Sequence, residues 1–211
     1  MLKHLFLGSL AVALLAAPAS AKEKNKTAEP VACSGVFGYD SSEKLLIETY
    51  GKDNVVAGNV DGPEGTQLLA TTVFPDDLEK KMVFFWADDA TRDGLSSVDL
   101  APTQVAPFGI RVGMTAAEVE AINGAPFTIG GFWWDYGGYA GFVEGKLAGP
   151  LDGECYLSLQ FSPPDEISPA IDVTPISGDV RVPSDEGLLE VLGVRITQIT
   201  LGYAFEPGAD E

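Results

Sequence analysis

The sequence predicts an α+β fold, tandem halves that each set a short helix on antiparallel strands. Three observations carry this. Two short apolar-periodic segments are each closed by a glycine, Gly51 and Gly124. Each is followed by brief β-rich runs punctuated by Pro, Gly and Asp. Neither helix is long enough to stand alone in water, so each must pack on its own sheet.

In the first half (35–97), Asp40-Ser-Ser-Glu43 reads as an acidic N-cap with a glutamate three residues on, and Leu45, Leu46, Ile47 and Tyr50 give the apolar stripe of a helix over 41–50. Residues 55–60 read as a strand and 61–65 as a turn. The runs 68–74 and 81–87 make a hairpin about Pro75-Asp76-Asp77. Met82-Val-Phe-Phe-Trp86 lacks polar alternation, which predicts a strand buried on both faces. Residues 88–97, rich in Asp, Ser and Gly, read as a loop.

The second half (98–211) opens on a short strand at 98–100. Its helix has the strongest local code. Thr115 caps it, Glu118 completes a capping box, Met114 and Val119 sit at staple positions, and Gly124 with Pro126 ends it. Residues 127–135, 139–143 and 155–161 read as strands, the last alternating Leu157, Leu159 and Phe161 with Ser158 and Gln160. The stretch 162–193 is Pro- and Asp-rich, an excursion with a short helix at 185–192. A final strand over 194–205 shifts phase at Thr197-Gln198, as a β-bulge requires.

The N-terminus has the three parts of a secretory signal peptide at 1–21: basic Lys3 and His4, an apolar run over 5–17, and Ala19-Ser20-Ala21 as a cleavage site. The apolar run is short for a membrane anchor, which needs about 20 residues. Pro30-Val31-Ala32 before Cys33 lacks the leucine usual in a lipobox. Residues 22–34 read as a flexible lead-in, and the mature chain as periplasmic or secreted, with no membrane insertion. Cleavage takes one lysine and no acid, so the formal net charge goes from −18 to −19. That field disfavours nucleic acid and anionic lipid, and favours basic partners or divalent cations, although solubility alone would also explain it. Cleavage also takes the only histidine, His4, and with it any Ser-His-Asp or Cys-His pair and any His-ligated zinc.

Cys33 and Cys155 read first as a disulfide in an oxidising compartment, closing a loop worth about 4–5 kcal/mol in chain entropy. A two-thiolate metal site or a redox pair is the other reading.

Ile110-Arg-Val-Gly-Met-Thr-Ala-Ala-Glu-Val119 with Ile122-Asn-Gly-Ala-Pro126 resembles the helix-to-strand signature of the SmpA/OmlA outer-membrane assembly lipoproteins. These are related in fold to the β-lactamase inhibitory protein. Tyr50-Gly51 before Asn54-Val-Val56 is a fainter copy, and the whole is similar to exported bacterial proteins with a tandem plan. The resemblance implies helices on a curved antiparallel sheet that presents a concave aromatic face to another protein. The chain departs from the lipoproteins in having no lipobox, and the inhibitor's contact residues find no counterpart in it.

Within Gly130-Gly-Phe-Trp-Trp-Asp-Tyr-Gly-Gly138 and just beyond it, Phe132, Trp133, Trp134, Tyr136 and Tyr139 form a candidate interaction surface, set against core packing plus a glycine hairpin. Asp89-Ala-Thr-Arg-Asp-Gly94 has the first oxygen positions of a calcium loop, but Leu100 stands where its last ligand would be, so a solvated turn is the alternative. Asp135 and Glu144 are the candidate acid pair for glycoside hydrolysis, in a chain whose 31 acids make some such pair inevitable. The expectation is an exported, non-enzymatic binding or assembly protein without cofactor, metal or catalytic residue, recognising another protein through an aromatic sheet face. A carboxylate-dependent carbohydrate-active enzyme and a divalent-cation-binding module are the alternatives, and a small-molecule ligand stays open.

Overall fold

The structure is a computed structural model and describes residues 30–204. The proposed signal peptide, most of the lead-in and Phe205 lie outside the described residues. Among the described residues, nine strands form two antiparallel sheets. The larger has the order β1-β2-β3-β4-β9-β7 and the smaller β6-β5-β8. Three helices accompany them, so the α+β class holds.

Helix α1 (Glu43–Tyr50) starts two residues later than its acidic cap predicts. Ser42, not Asp40, is the N-cap, its hydroxyl accepting from the Leu45 amide at 3.3 Å. Glu43 is thereby freed for a tertiary role. Its Oε2 accepts from the Thr71 hydroxyl at 2.8 Å, and Thr71 Oγ1 accepts from Trp86 Nε1 at 2.9 Å. Arg92 Nε lies 2.7 Å from the same carboxylate oxygen; with the N–H off that axis, this is a contact of charges. The chain of polar groups satisfies a buried indole N–H and ties α1 to the sheet.

Strands β1 (Val55–Asp61), β2 (Gln67–Val73), β3 (Met82–Asp88) and β4 (Asp93–Asp99) follow as a meander. Two expectations fail here. Met82, Phe84 and Trp86 are buried, but Val83 and Phe85 are only half-buried, so β3 has one core face and one open face. The segment read as a loop at 88–97 supplies most of β4 instead. Leu95 and Val98 are fully buried, and their burial against β3 and the core outweighs the turn propensity of Asp, Ser and Gly.

Helix α2 (Ala116–Asn123) follows its local code in full. Both capping-box hydrogen bonds with Thr115 and Glu118 are present, and Gly124 takes the left-handed conformation at φ 80°. Beyond it, β5 (Thr128–Gly130) is far shorter than the strand read over 127–135, and β6 is only Ala140–Gly141. The chain leaves the sheet at Gly131, for a reason given below. β7 (Cys155–Ser162) keeps its alternation, with Leu157, Leu159 and Phe161 inward.

The excursion at 162–193 is not external to the module. It returns as β8 (Arg181–Pro183) at the edge of the small sheet, paired with β5, and buries Ile176 and Val182. An edge position tolerates Pro183, which has no N–H to offer. The short helix α3 (Gly187–Val191) then leads into β9 (Arg195–Tyr203). The register of β9 against β7 slips between Gln160 and Phe161, leaving Thr197 as the extra residue; this is the bulge expected from the phase change.

β9 lies between β4 and β7, so strands following each helix share the large sheet. The strands after α1 form one meander, whereas those after α2 divide between two sheets. Cys33 and Cys155 form a disulfide with Cα atoms 6.1 Å apart, fastening the start of the described chain to β7. Val31, just before it, donates to the Val105 carbonyl at 2.8 Å, so the last part of the lead-in is held.

Candidate functional site

The aromatic segment is a loop between β5 and β6, and steric demands of glycine shape it. A Cβ at Gly131 would stand 2.3 Å from the Gly178 carbonyl oxygen, and one at Gly138 would stand 2.1 Å from that of Phe161. No other residue permits such approaches. They let Gly138 donate to Gly130 O at 2.9 Å, closing the loop at its neck, and Phe161 donate to Gly138 O at 2.8 Å. The neck joins the two sheets, for Tyr139 also bridges Gln160 of β7. Trp133 takes a left-handed φ of 62°, unusual for a bulky residue. A continuous strand through Trp133 and Trp134 is therefore ruled out.

Of the five residues proposed as an interaction surface, Phe132 is core, held by its amide donating to the Ile176 carbonyl at 2.8 Å. The other four are exposed: Trp133 by 52%, Trp134 by 39%, Tyr136 by 51% and Tyr139 by 42%. They sit at the seam of the two sheets, and three of them are on the loop and not on a sheet face. The loop is nonetheless fixed. Trp134 Nε1 donates to Gly131 O at 2.9 Å, Gln160 Nε2 to Gly137 O at 3.1 Å, and Trp134 packs edge-on against Tyr136 with ring centroids 5.6 Å apart. At its tip, the Tyr136 hydroxyl donates to Glu64 Oε1 at 3.1 Å, reaching the turn of the β1–β2 hairpin. A groove of about 350 Å³ is lined by Trp133 and Trp134 together with Gln160, Ser162, Pro163 and Asp165.

Next to this seam lies the open face of the large sheet. The pairings set Val56, Thr72, Val83, Asp99, Thr200 and Ser158 in one row, opposite in direction to core residues Phe84 and Leu201. Asp99 is half-buried in that row and accepts from the Thr200 hydroxyl at 2.6 Å; Gln198 lies beside Thr200. Burial raises the pKa of Asp99, and the hydrogen bonds from Thr200 and Gln198 only partly offset this. The Tyr139 hydroxyl is pushed up as well, first by desolvation and then by the charge of Asp99; the pairings of Tyr139 with Gln160 and of Gln160 with Gln198 put it one row from Thr200 on the same face. Asp99 fell within the short strand read at 98–100, but nothing local marked it as a site, because Val83 and Thr200 come to it from elsewhere in the chain. Leu95 and Val98, three residues apart, both face the core only because the register against β3 shifts between Phe85 and Trp86, so no period-two pattern marked Asp93–Asp99 as a strand.

The other candidates do not gather into sites. Asp135 is exposed in the aromatic loop, while Glu144 is exposed in the turn after β6, where its backbone carbonyl accepts from Asn123 Nδ2 at 2.9 Å. The segment 89–94 is the β3–β4 turn. It holds its own cation, Arg92, and Asp93 has joined β4 opposite Asp88. Asp88 Oδ1 accepts from the amides of Ala90 and Thr91, and these bonds lower its pKa. Among the described residues there is no group of three or more His, Cys, Asp or Glu set to hold a metal ion, and no helix long and apolar enough to cross a membrane.

The chain matches no family model, no curated protein and no solved structure.

Proposed function

We propose that this is an exported, non-enzymatic binding protein that recognises another protein through the aromatic seam at residues 133–139 and the sheet face beside it. One observation carries the reading. Three aromatic side chains stand exposed on a loop held rigid by glycine-dependent backbone contacts, with Tyr139 exposed at its neck, when burying them would favour stability. Rigid, exposed Trp and Tyr bury large area on binding at little cost in conformational entropy. The Cys33–Cys155 disulfide supports an address outside the cytoplasm. The resemblance of residues 110–126 to the SmpA/OmlA signature supports a kinship with tandem helix-on-sheet binders.

The test compares the mature chain, from Lys22, with its Trp133→Ala/Trp134→Ala variant, each immobilised in envelope extract and crosslinked. A protein recovered by the first and lost from the second, with circular dichroism unchanged, supports the reading. Identical recovery by both overturns it.

A further inference from the structure

Resting on that reading, we infer that the partner presents a basic side chain, lysine or arginine, that docks against Asp99 on the open sheet face beside Tyr139. The argument begins with an unbalanced charge. Asp99 is half-buried, and its row across six strands contains no lysine or arginine. The row on one flank, Gly58, Ala70, Ser97, Gly202 and Tyr156 with Phe85, contains none either; on the other flank Lys81, two residues before Val83, is exposed and forms no ion pair with Asp99. Arg195 on β9 lies five residues along from Thr200 and is turned to the Gly113 carbonyl, to which it donates at 2.9 Å. A carboxylate taken partly out of water without a cation is costly to the fold. A protein retains such a group at little benefit to itself unless something outside supplies the counter-charge.

The surroundings suit a cation. Tyr139, 42% exposed one row from Thr200, and Tyr156, 43% exposed, stand on the same face as the carboxylate and supply aromatic surface. Thr200 orients Oδ1 of the carboxylate by its hydrogen bond, and Gln198 donates in turn to the Thr200 hydroxyl. Around the loop, Glu64, Asp135 and Asp165 extend the negative field, and the whole chain carries −18. Long-range attraction would bring a basic segment in, and Asp99 would give it a register. A fully charged, hydrogen-bonded contact of this kind discriminates where the diffuse field cannot.

The experiment uses the ¹⁵N-labelled mature chain titrated with a hexalysine peptide at about 150 mM salt, where exposed charges are screened beyond roughly 8 Å. Amide shifts should centre on Asp99, Gln198, Thr200 and Tyr139. Asp99→Asn should weaken binding by about tenfold, the loss expected when one partner of a close charge pair is neutralised. Glu48→Gln, an exposed acid of α1 on the other side of the sheet, should change affinity by less than about twofold. Shifts scattered over the acidic surface, or equal effects of Asp99→Asn and Glu48→Gln, would overturn the inference. If that happens while the double tryptophan change still abolishes partner capture, the aromatic surface stands and only the basic contact falls. If neither change has an effect, both readings fall.

Discussion

The Tyr136 hydroxyl donates to the Glu64 carboxylate across 72 residues of sequence, joining the tip of the aromatic loop to the tip of the β1–β2 hairpin. The hairpin runs past β3, which pairs with β2 only from Thr71 to Val73, so its outer end has few other ties to the rest of the fold. One exposed hydrogen bond thus sets how closely the hairpin approaches the candidate surface. Tyr136→Phe should leave global stability within about 0.5 kcal/mol, since the groups involved are solvated in either case. Amide exchange at 62–66 should quicken, while that of Gly138 should not, its bond to Gly130 lying at the loop neck. Hydrogen exchange read by NMR checks this.

Gly131 is where the loop departs from the sheet, and the departure depends on its lack of a side chain. Gly131→Ala should cost about 1–3 kcal/mol, because the new methyl overlaps backbone atoms that cannot move independently. Gly149→Ala, with open space around it, should change stability by no more than about 0.5 kcal/mol. Urea unfolding of both variants gives the comparison, and equal midpoints would show that the close approach at Gly131 is not needed.

The disulfide closes a long loop and fastens the first described residues to β7. Replacing Cys33 and Cys155 by serine should cost about 2–5 kcal/mol, measured by urea unfolding under non-reducing conditions. The aromatic loop lies at the opposite end of β7, at Gln160, so tryptophan emission of the folded variant should be unchanged.

Asp99 makes stability depend on pH in the direction opposite to Asp77, Asp88, Glu118 and Asp172, whose pKa values hydrogen bonds lower. Its folded-state pKa is raised by burial above the usual carboxylate value of 3.8. The folded protein therefore binds this proton more tightly than the unfolded chain. The resulting stabilisation is complete below that unfolded value and is lost as pH rises through the raised folded value. Asp99→Asn should abolish this component, making the variant more stable than the native protein at pH 7 relative to pH 4. Thermal melts at the two values test the sign. A variant less stable at pH 7 by the same margin as at pH 4 would show that the carboxylate is not under desolvation.

Residues acting on near neighbours were legible in the chain before any tertiary structure. Thr115, Glu118 and Gly124 define α2 because a cap needs only donors and acceptors within one turn. The alternation along β7 and the phase slip at Thr197 likewise specify face and bulge from sequence distances of one or two. Ser42 displaced Asp40 as the cap of α1 because Glu43 was drawn to Thr71 and Arg92, partners far along the chain.

What the tertiary structure alone decided is which elements meet. Asp93–Asp99 became a strand because Leu95 and Val98 had a core to enter, and Arg181–Pro183 became one because β5 offered it an edge. The placement of β9 between β4 and β7 put Thr200 against Asp99, and the neck at Gly130 and Gly138 turned the tryptophans outward. Side-chain chemistry marked Trp133, Trp134, Tyr136 and Tyr139 as unusual, but exposure is a property of neighbours brought from elsewhere in the chain. Local hydrogen bonding and side-chain period are written in adjacent residues, whereas burial and charge pairing are settled only when distant segments compete for the same space.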